Sequence, residues 1–494
     1  MCGLNYIDPR LIRQWRLDPE AVLDLMNQRL RHRGTLPGES LVTSTYGLGH
    51  VRLPIVGLAD GEGDQPVKIP GGSAFAFVGE LVNYKDVSPD SPSDTRALAS
   101  KFFGDAIYFK HKPSPPWDEL QGWDGFWSVV HCGQRGETAA MVDPLAKKPL
   151  YHHIQSGAIS SEISPLLIFE PMGDLKFDDG YFAHVGKFGY SIDPSRTPFR
   201  NIRKIPAGHV LVSQGPGVPS QYARYCNIPP LGAEPTHEML YQFLLGSVCR
   251  RMSTSALPIA ILFSGGLDSS IILYLVIEGM IKGLIETRPI TLFHVGEEEL
   301  ENLGVVDQLK ANTLGIDINL VKLHSAQEPD LDAILLRNES PVDLGSMIPQ
   351  WTLGQAVKGQ GFHVVLGGDG ADELFGGYRR QNHFDAQNSD VFDELVQYHL
   401  PRLDKLMMAH TVEMRSPFLA WEVCSLALQL PYSERINKKF LRDTFRNRLP
   451  DEVVDRKKVP LKSKNVLQGG EAWRYHLMNR FKEVFNREHQ TRDR

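Results

Sequence analysis

The sequence predicts an α/β protein in two parts: a strand-rich α+β part over residues 1–215, and an α/β part with a doubly wound parallel sheet over residues 237–494. Three observations predict it. Short β-type runs punctuated by turns dominate the first part, as at residues 74–78, 127–131 and 210–213. Residues 216–236 then gather Pro, Gly and polar residues without sustained periodicity, which marks a linker. Beyond it, apolar runs alternate with helical patterns, the grammar of βαβ units whose strands lie parallel.

In the first part the exception to strand patterning is residues 20–31, EAVLDLMNQRLR, where Val22, Leu23, Met26 and Leu30 recur at helical spacing. In the second part, residues 258–263 predict a strand followed by a helix from near Ser269. Residues 290–295 predict another strand, followed by a periodic stretch to Leu314, and residues 363–366 a third. Ligands of such sheets sit at the carboxyl ends of the strands, so the loops that follow these runs are where chemistry is expected.

Composition narrows the class. Hydrophobic residues are 42% and charged residues 23% of 494, ordinary globular usage that excludes disordered, collagen-like and coiled-coil readings. The net charge of −6 supplies no global positive field for nucleic acid or an anionic membrane. Five cysteines, odd in number and without a CxxC pair, argue against a disulfide framework or a zinc site. The start MCGLNYIDPR lacks a signal-peptide pattern, and no run approaches ~18 apolar residues, so a cytoplasmic protein without a membrane span is expected.

The first predicted strand of the second part runs into Ser264-Gly265-Gly266-Leu267-Asp268-Ser269-Ser270. Adjacent glycines let backbone N–H groups approach phosphate oxygens, the serine hydroxyls add donors, and the helix presents its positive end. Asp268 would repel phosphate unless a cation intervenes, which implies Mg²⁺. No GxxxxGK(S/T) loop is present, which disfavours an ordinary kinase. The third strand ends in a second acidic glycine-rich loop, residues 367–378 (GGDGADELFGGY), where Asp369 and Asp372 either complete a metal–pyrophosphate site or serve as a base.

SGGLDSS resembles the signature of the PP-loop ATP pyrophosphatases, which cleave ATP to AMP and pyrophosphate. Together with GGDGADELFGGY and the cysteine at position 2, it makes the chain resemble the glutamine-hydrolysing, class B asparagine synthetase family along nearly its whole length. Residues 408–420 (MAHTVEMRSPFLA), Lys438-Lys439-Phe440-Leu441-Arg442 and Arg456-Lys457-Lys458 resemble further motifs of that family in order. The resemblance implies an Ntn-hydrolase αββα sandwich followed by a PP-loop domain. It implies that Met1 is removed, that Cys2 attacks the glutamine amide with its freed α-amine as base, and that Gly79 serves the oxyanion. Arg52, Glu80 and Asp94 would bind glutamine. Leu262, Val295 and Gly368 would meet adenine, the first two being equally explained as sheet core. Ser264, Gly265, Gly266, Asp268 and Ser269 would hold ATP phosphates, and Asp268 and Asp372 the metal. Lys458 would stabilise charge and Asp369 take a proton from the amine. Arg31-His32-Arg33-Gly34, Asp143 and residues 205–208 fall where the family has scaffold.

Departures from the pattern set limits. Val78 stands where the family has the asparagine of its oxyanion hole, and losing one such donor costs about 2.7–4 kcal/mol. Val342-Asp343-Leu344-Gly345-Ser346 replaces the Thr-Thr-x-Arg stretch that holds aspartate, and cannot reproduce an arginine fork. Gly367, Asp369 and Ala420 replace a serine, a glutamate and an aspartate. The leading reading is a ligase that uses glutamine, ATP and a small carboxylate, with aspartate disfavoured as acceptor. A second reading keeps adenylation with a silent glutaminase, as in lactam-forming relatives. A third, of another class, is a non-catalytic sensor on this scaffold. A homodimer is compatible with all three, and nucleic acid is not expected: Arg474, Arg480, Lys482, Arg487, Arg492 and Arg494 read as a solvated helical face and a frayed end.

Overall fold

Residues 73–81 read SAFAFVGEL, and their alternation sorts two buried layers. Ala74, Ala76 and Val78 join Leu4 and Leu48 in one core, whereas Phe75, Phe77 and Leu81 join Leu98 and Trp127 in another. Small side chains on the inner face let a second sheet approach. The computed structural model describes residues 2–59, 61–103, 122–215, 220–295, 316–323, 330–342, 344–378, 393–457 and 471–491.

Two six-stranded antiparallel sheets make up the first part. One runs Ile202–Lys204, Tyr151–His153, Ile159–Ser160, Gly3–Ile7, Gly47–Val51, Gly38–Val42; the other runs Gln221–Arg224, His209–Ser213, Thr138–Val142, Gly125–Cys132, Ser73–Leu81, Val67–Ile69. The helix Pro19–Arg29 lies on the first sheet and Asp94–Phe103 on the second, so the layers are helix, sheet, sheet, helix. Pro19–Arg29 starts where Asp18 accepts from Ala21 N at 3.0 Å, with Pro19 in the first turn, and buries Val22, Leu23 and Met26. Gln221–Arg224, inside the expected linker, pairs with His209–Ser213 as an edge strand.

The second part carries a five-stranded, wholly parallel sheet in the order Ile318–Leu323, Ile290–Val295, Ile259–Leu262, Val364–Leu366, Glu413–Arg415. The three predicted strands are its centre. Strand order reverses between Ile259–Leu262 and Val364–Leu366, so the glycine loops that follow these two strands meet at the switch point, where open α/β sheets bind ligands. The periodic stretch expected before Leu314 lies outside the described residues. No helix among the described residues is long and apolar enough to cross a membrane.

Buried ion pairs join the parts. Arg33 reaches Asp404 at 2.9 Å and Lys148 reaches the same carboxylate at 2.7 Å, all three nearly inaccessible. The last helix, Glu471–Thr491, returns to the first part: Arg474 donates to Gly186 O at 2.8 Å, and Asn486 accepts from Leu175 N at 3.0 Å. Arg480 and Arg487 pair with Asp332, so this basic helix ties elements together in addition to facing solvent.

Candidate functional site

Antiparallel register places Cys2. Gly3 pairs with Val51, so Cys2 lies beside Arg52 and Leu53 at the ends of neighbouring strands. Arg33 Nε donates to Cys2 O at 3.0 Å, fixing the backbone there. Burial pushes the Cys2 thiol up, opposed by the amino-terminal charge, the Leu53 N–H and Arg52. A thiol held in that form needs a base before it attacks.

A small cavity of about 30 Å³ opens at Cys2 and is lined by Arg52, Gly79, Glu80 and Asp94, five expected residues from four separate segments. Gly79 is required here: its φ is +117°, and a Cβ would lie 1.9 Å from Phe126 O. Asp94 begins the helix Asp94–Phe103, and its carboxylate accepts from Thr95 N at 2.7 Å and Leu81 N at 3.2 Å. Burial nonetheless raises Asp94 to about 6. Arg52 donates to Asp64 at 2.8 Å and to Gly57 O, a carboxylate and a carbonyl on its fork. Asp64 is 60% exposed, so exchanging it for a ligand carboxylate costs little. The cavity is large enough to admit water.

Two residues of this site, Glu413 and Arg415, were not legible as such in the sequence. Glu413, from the second part, lines the Cys2 cavity. Arg415 donates to Glu413 at 2.7 Å and to Glu80, joining a residue expected to bind glutamine to the edge of the parallel sheet. Leu53 supplies its N–H to Cys2. The signal for Glu413 and Arg415 was the spacing Glu-x-Arg in MAHTVEMRSPFLA, which is silent about their partner. Val78 packs within the inter-sheet core and supplies no donor.

At the switch point, Gly265 takes φ +68° and Gly266 caps the helix Leu267–Ile281 without a side-chain cap, leaving the helix N-terminus to an anion. Ser269 Oγ receives Ser264 N at 3.2 Å and donates to Gly266 O at 3.1 Å, which shapes the loop. Leu262 and Val295 end neighbouring strands and are half-buried, as either adenine contact or sheet core requires. The second loop abuts the first: a Cβ on Gly368 would lie 2.7 Å from Asp268 Cβ. Asp268 and Asp372 converge on Lys438 Nζ, with oxygens at 2.6 Å from each. Two carboxylates meeting at one point are hard-donor chemistry that fits a divalent cation of the Mg²⁺ kind, though no group of three or more His, Cys, Asp or Glu gathers among the described residues. Asp369 is half-buried beside Gly367, and Lys458 lies outside the described residues, as does Asp343.

The departures acquire physical partners. A Cβ on Gly367 would lie 2.0 Å from Met414 Cε, so the methionine fills the space of the missing serine. Ala420 is the N-cap of the helix Trp421–Gln429 and offers no side-chain cap, where an aspartate would.

Comparison with known families gives two matches. The Asparagine synthase family matches residues 239–396 and 385–492, and the Glutamine amidotransferase domain matches residues 1–225. The amidase chyE of Penicillium rubens is 27% identical over 76% of this chain and 56% of its own length. The glutamine-hydrolysing asparagine synthetase 1 of Saccharomyces cerevisiae is 24% identical over 90% of this chain and 81% of its own. The glutamine-hydrolysing asparagine synthetase B of Escherichia coli is 27% identical over 52% of this chain and 51% of its own. The chain thus spans about half the length of the Penicillium and Escherichia relatives in these matches.

Proposed function

The chain belongs to the asparagine synthase family, and from that premise we propose that it is a glutamine-dependent, ATP-consuming ligase that forms an amide on a small carboxylate other than aspartate. Residues 1–215 would form an Ntn-type glutaminase and residues 237–494 a PP-loop adenylating half. The observation that carries the reading is the cavity at Cys2, where Arg52, Gly79, Glu80 and Asp94 assemble beside Glu413 of the other half.

With Met1 removed, the α-amine of residue 2 takes the thiol proton and Cys2 Sγ attacks the glutamine side-chain carbonyl. Arg52 turns its fork to the glutamine α-carboxylate, and ionised Asp94 accepts from the α-ammonium. The Gly79 N–H is the oxyanion donor that remains, so cleavage without the second substrate is slow. In the other half, the Gly265-Gly266 loop and the helix start at Leu267 hold phosphate oxygens. Asp268 and Asp372 would hold Mg²⁺, which neutralises pyrophosphate charge. Asp369 takes a proton from the incoming amine, and Lys458 stabilises charge on the acyl-adenylate. ATP is a substrate of this chemistry.

The acceptor assignment rests on Val342, Gly345 and Ser346, which offer no arginine fork. Similarity to a protein named as an amidase, alongside the synthetases, supports an acceptor outside aspartate. ATP–pyrophosphate exchange across a panel of carboxylic acids tests it: exchange with a non-amino-acid or extended carboxylate is expected, and exchange with aspartate alone would overturn it. A silent glutaminase is the second reading, favoured by Val78, and is tested by glutamate release from glutamine in the presence of ATP and acceptor.

A further inference from the structure

We propose that Lys438 is the built-in counter-cation of the Asp268–Asp372 pair, and that it makes the site admit a divalent cation only together with a triphosphate. This rests on the ligase reading for the identity of the nucleotide, and on the geometry for the rest.

The ammonium is placed with care. Lys438 Nζ lies 2.7 and 2.6 Å from the two oxygens of Asp268 and 2.6 Å from Asp372 Oδ1, and the side chain is 4% exposed. It bridges two loops 104 positions apart in sequence, since 372 − 268 = 104. The backbone accepts strain to aim it. Asn437 and Lys438 both take left-handed φ values, +53° and +60°, which non-glycine residues rarely adopt in succession. Asn437 N donates to Gly376 O at 2.9 Å and Lys438 N to Phe375 O at 2.8 Å, which clamps that turn onto the second acidic loop. Gly377 leaves the space: a Cβ there would lie 2.0 Å from Asp372 Oδ1 and 2.4 Å from Lys438 Cε. Arg442, the other cation of the same motif, is occupied by the carbonyls of Asn437, Val454 and Arg456.

The charge balance follows. Among themselves the two carboxylates and this ammonium sum to one negative charge, the Arg442 guanidinium adds positive field at Asp268, and a bare divalent ion must also approach a positive nitrogen within a few ångströms. A triphosphate changes both conditions. It gives the ammonium a new anionic partner, which releases carboxylate oxygens, and it brings oxygen ligands of its own to the metal. Lys438 therefore keeps the two acidic loops together before nucleotide arrives and sets the order of binding.

The test is Mn²⁺ binding to the full chain, read by the electron paramagnetic resonance of free Mn²⁺, with and without α,β-methylene-ATP, in unmodified protein and Lys438→Met. Removing the ammonium is expected to tighten binding of Mn²⁺ alone by about tenfold or more, to abolish its dependence on nucleotide, and to weaken the analogue. Unchanged or weaker binding of Mn²⁺ alone in a folded Lys438→Met protein would overturn the proposal. Should that variant not fold, the unmodified protein decides: a melting temperature raised by Mg²⁺ and analogue together but not by Mg²⁺ alone is expected, and an equal rise with Mg²⁺ alone would overturn it. Neither measurement needs turnover, so a failure of pyrophosphate exchange counts against the ligase reading and not against the role of Lys438.

Discussion

Asp94 gives the candidate glutamine pocket a pH dependence whose sign and size follow from its burial. Its carboxyl rises from an ordinary 3.8 to about 6, chiefly because burial penalises the charged form. A shift of that size is about 3 kcal/mol. The folded state therefore binds the proton more tightly than the unfolded chain, so the stabilising contribution is fully present below 3.8 and is lost as pH rises through about 6. At neutral pH the ionised carboxylate is a buried charge held by the Leu81 and Thr95 amides. In the proposed reaction a glutamine α-ammonium adds a cation beside it, which would draw Asp94 down and displace a proton at pH values near 6. Isothermal titration of glutamine into Cys2→Ala protein, which cannot turn over, reads this directly. Affinity is expected to fall about tenfold per unit below pH ~6 and to level off above it. Buffers of different ionisation enthalpy should reveal proton release near that pH. Asp94→Asn should abolish the pH dependence and raise stability at neutral pH. A glutamine affinity that is flat with pH, or one that keeps its slope in Asp94→Asn, would refute this role of Asp94.

Other expectations follow from single contacts. Arg415→Met leaves Glu80 and Glu413 buried without their cation, and should cost about 3–5 kcal/mol in urea unfolding; a loss under ~1 kcal/mol would contradict the buried pairs. Gly79→Ala should abolish glutamate release while ammonium-dependent synthesis survives, because its Cβ overlaps Phe126 O. Gly367→Ser should destabilise by about 1–3 kcal/mol through overlap with Met414, and Met414→Ala should restore it, so additive effects in a double-mutant cycle would refute the contact. Ala420→Asp should raise the unfolding free energy by about 0.5–2 kcal/mol by capping the helix Trp421–Gln429, and a loss would show that the carboxylate does not reach the helix amides.

The legible parts of the sequence were those with local causes. Strands Ile259–Leu262, Ile290–Val295 and Val364–Leu366 are apolar runs, the first and last ending in glycine loops, so both the fold class and the position of these loops could be read. Glu413–Arg415 is a strand with charged outer residues, Glu413 lining the Cys2 cavity and Arg415 pairing with Glu413 and Glu80, and EMR carries no strand signature. Gln221–Arg224 is an exposed edge strand with no buried face to pattern it. Arg33 with Asp404, and Lys438 with Asp268, meet across 371 and 170 positions, separations over which a single sequence records no pairing. Cys2, Arg52, Gly79, Glu80 and Asp94 were recognisable through motif resemblance, and the cavity explains why they occur together.

In the proposed reaction, nitrogen from glutamine at Cys2 reaches a carboxylate activated at the glycine loops. Incubation with ATP, amide-¹⁵N glutamine and a carboxylate library, followed by mass spectrometry, tests it most directly. A ¹⁵N-amide product with stoichiometric AMP is expected, lost in Cys2→Ala with glutamine but retained with ammonium salts. Unlabelled product, or a ¹⁵N-amide formed equally by Cys2→Ala from glutamine, would contradict it.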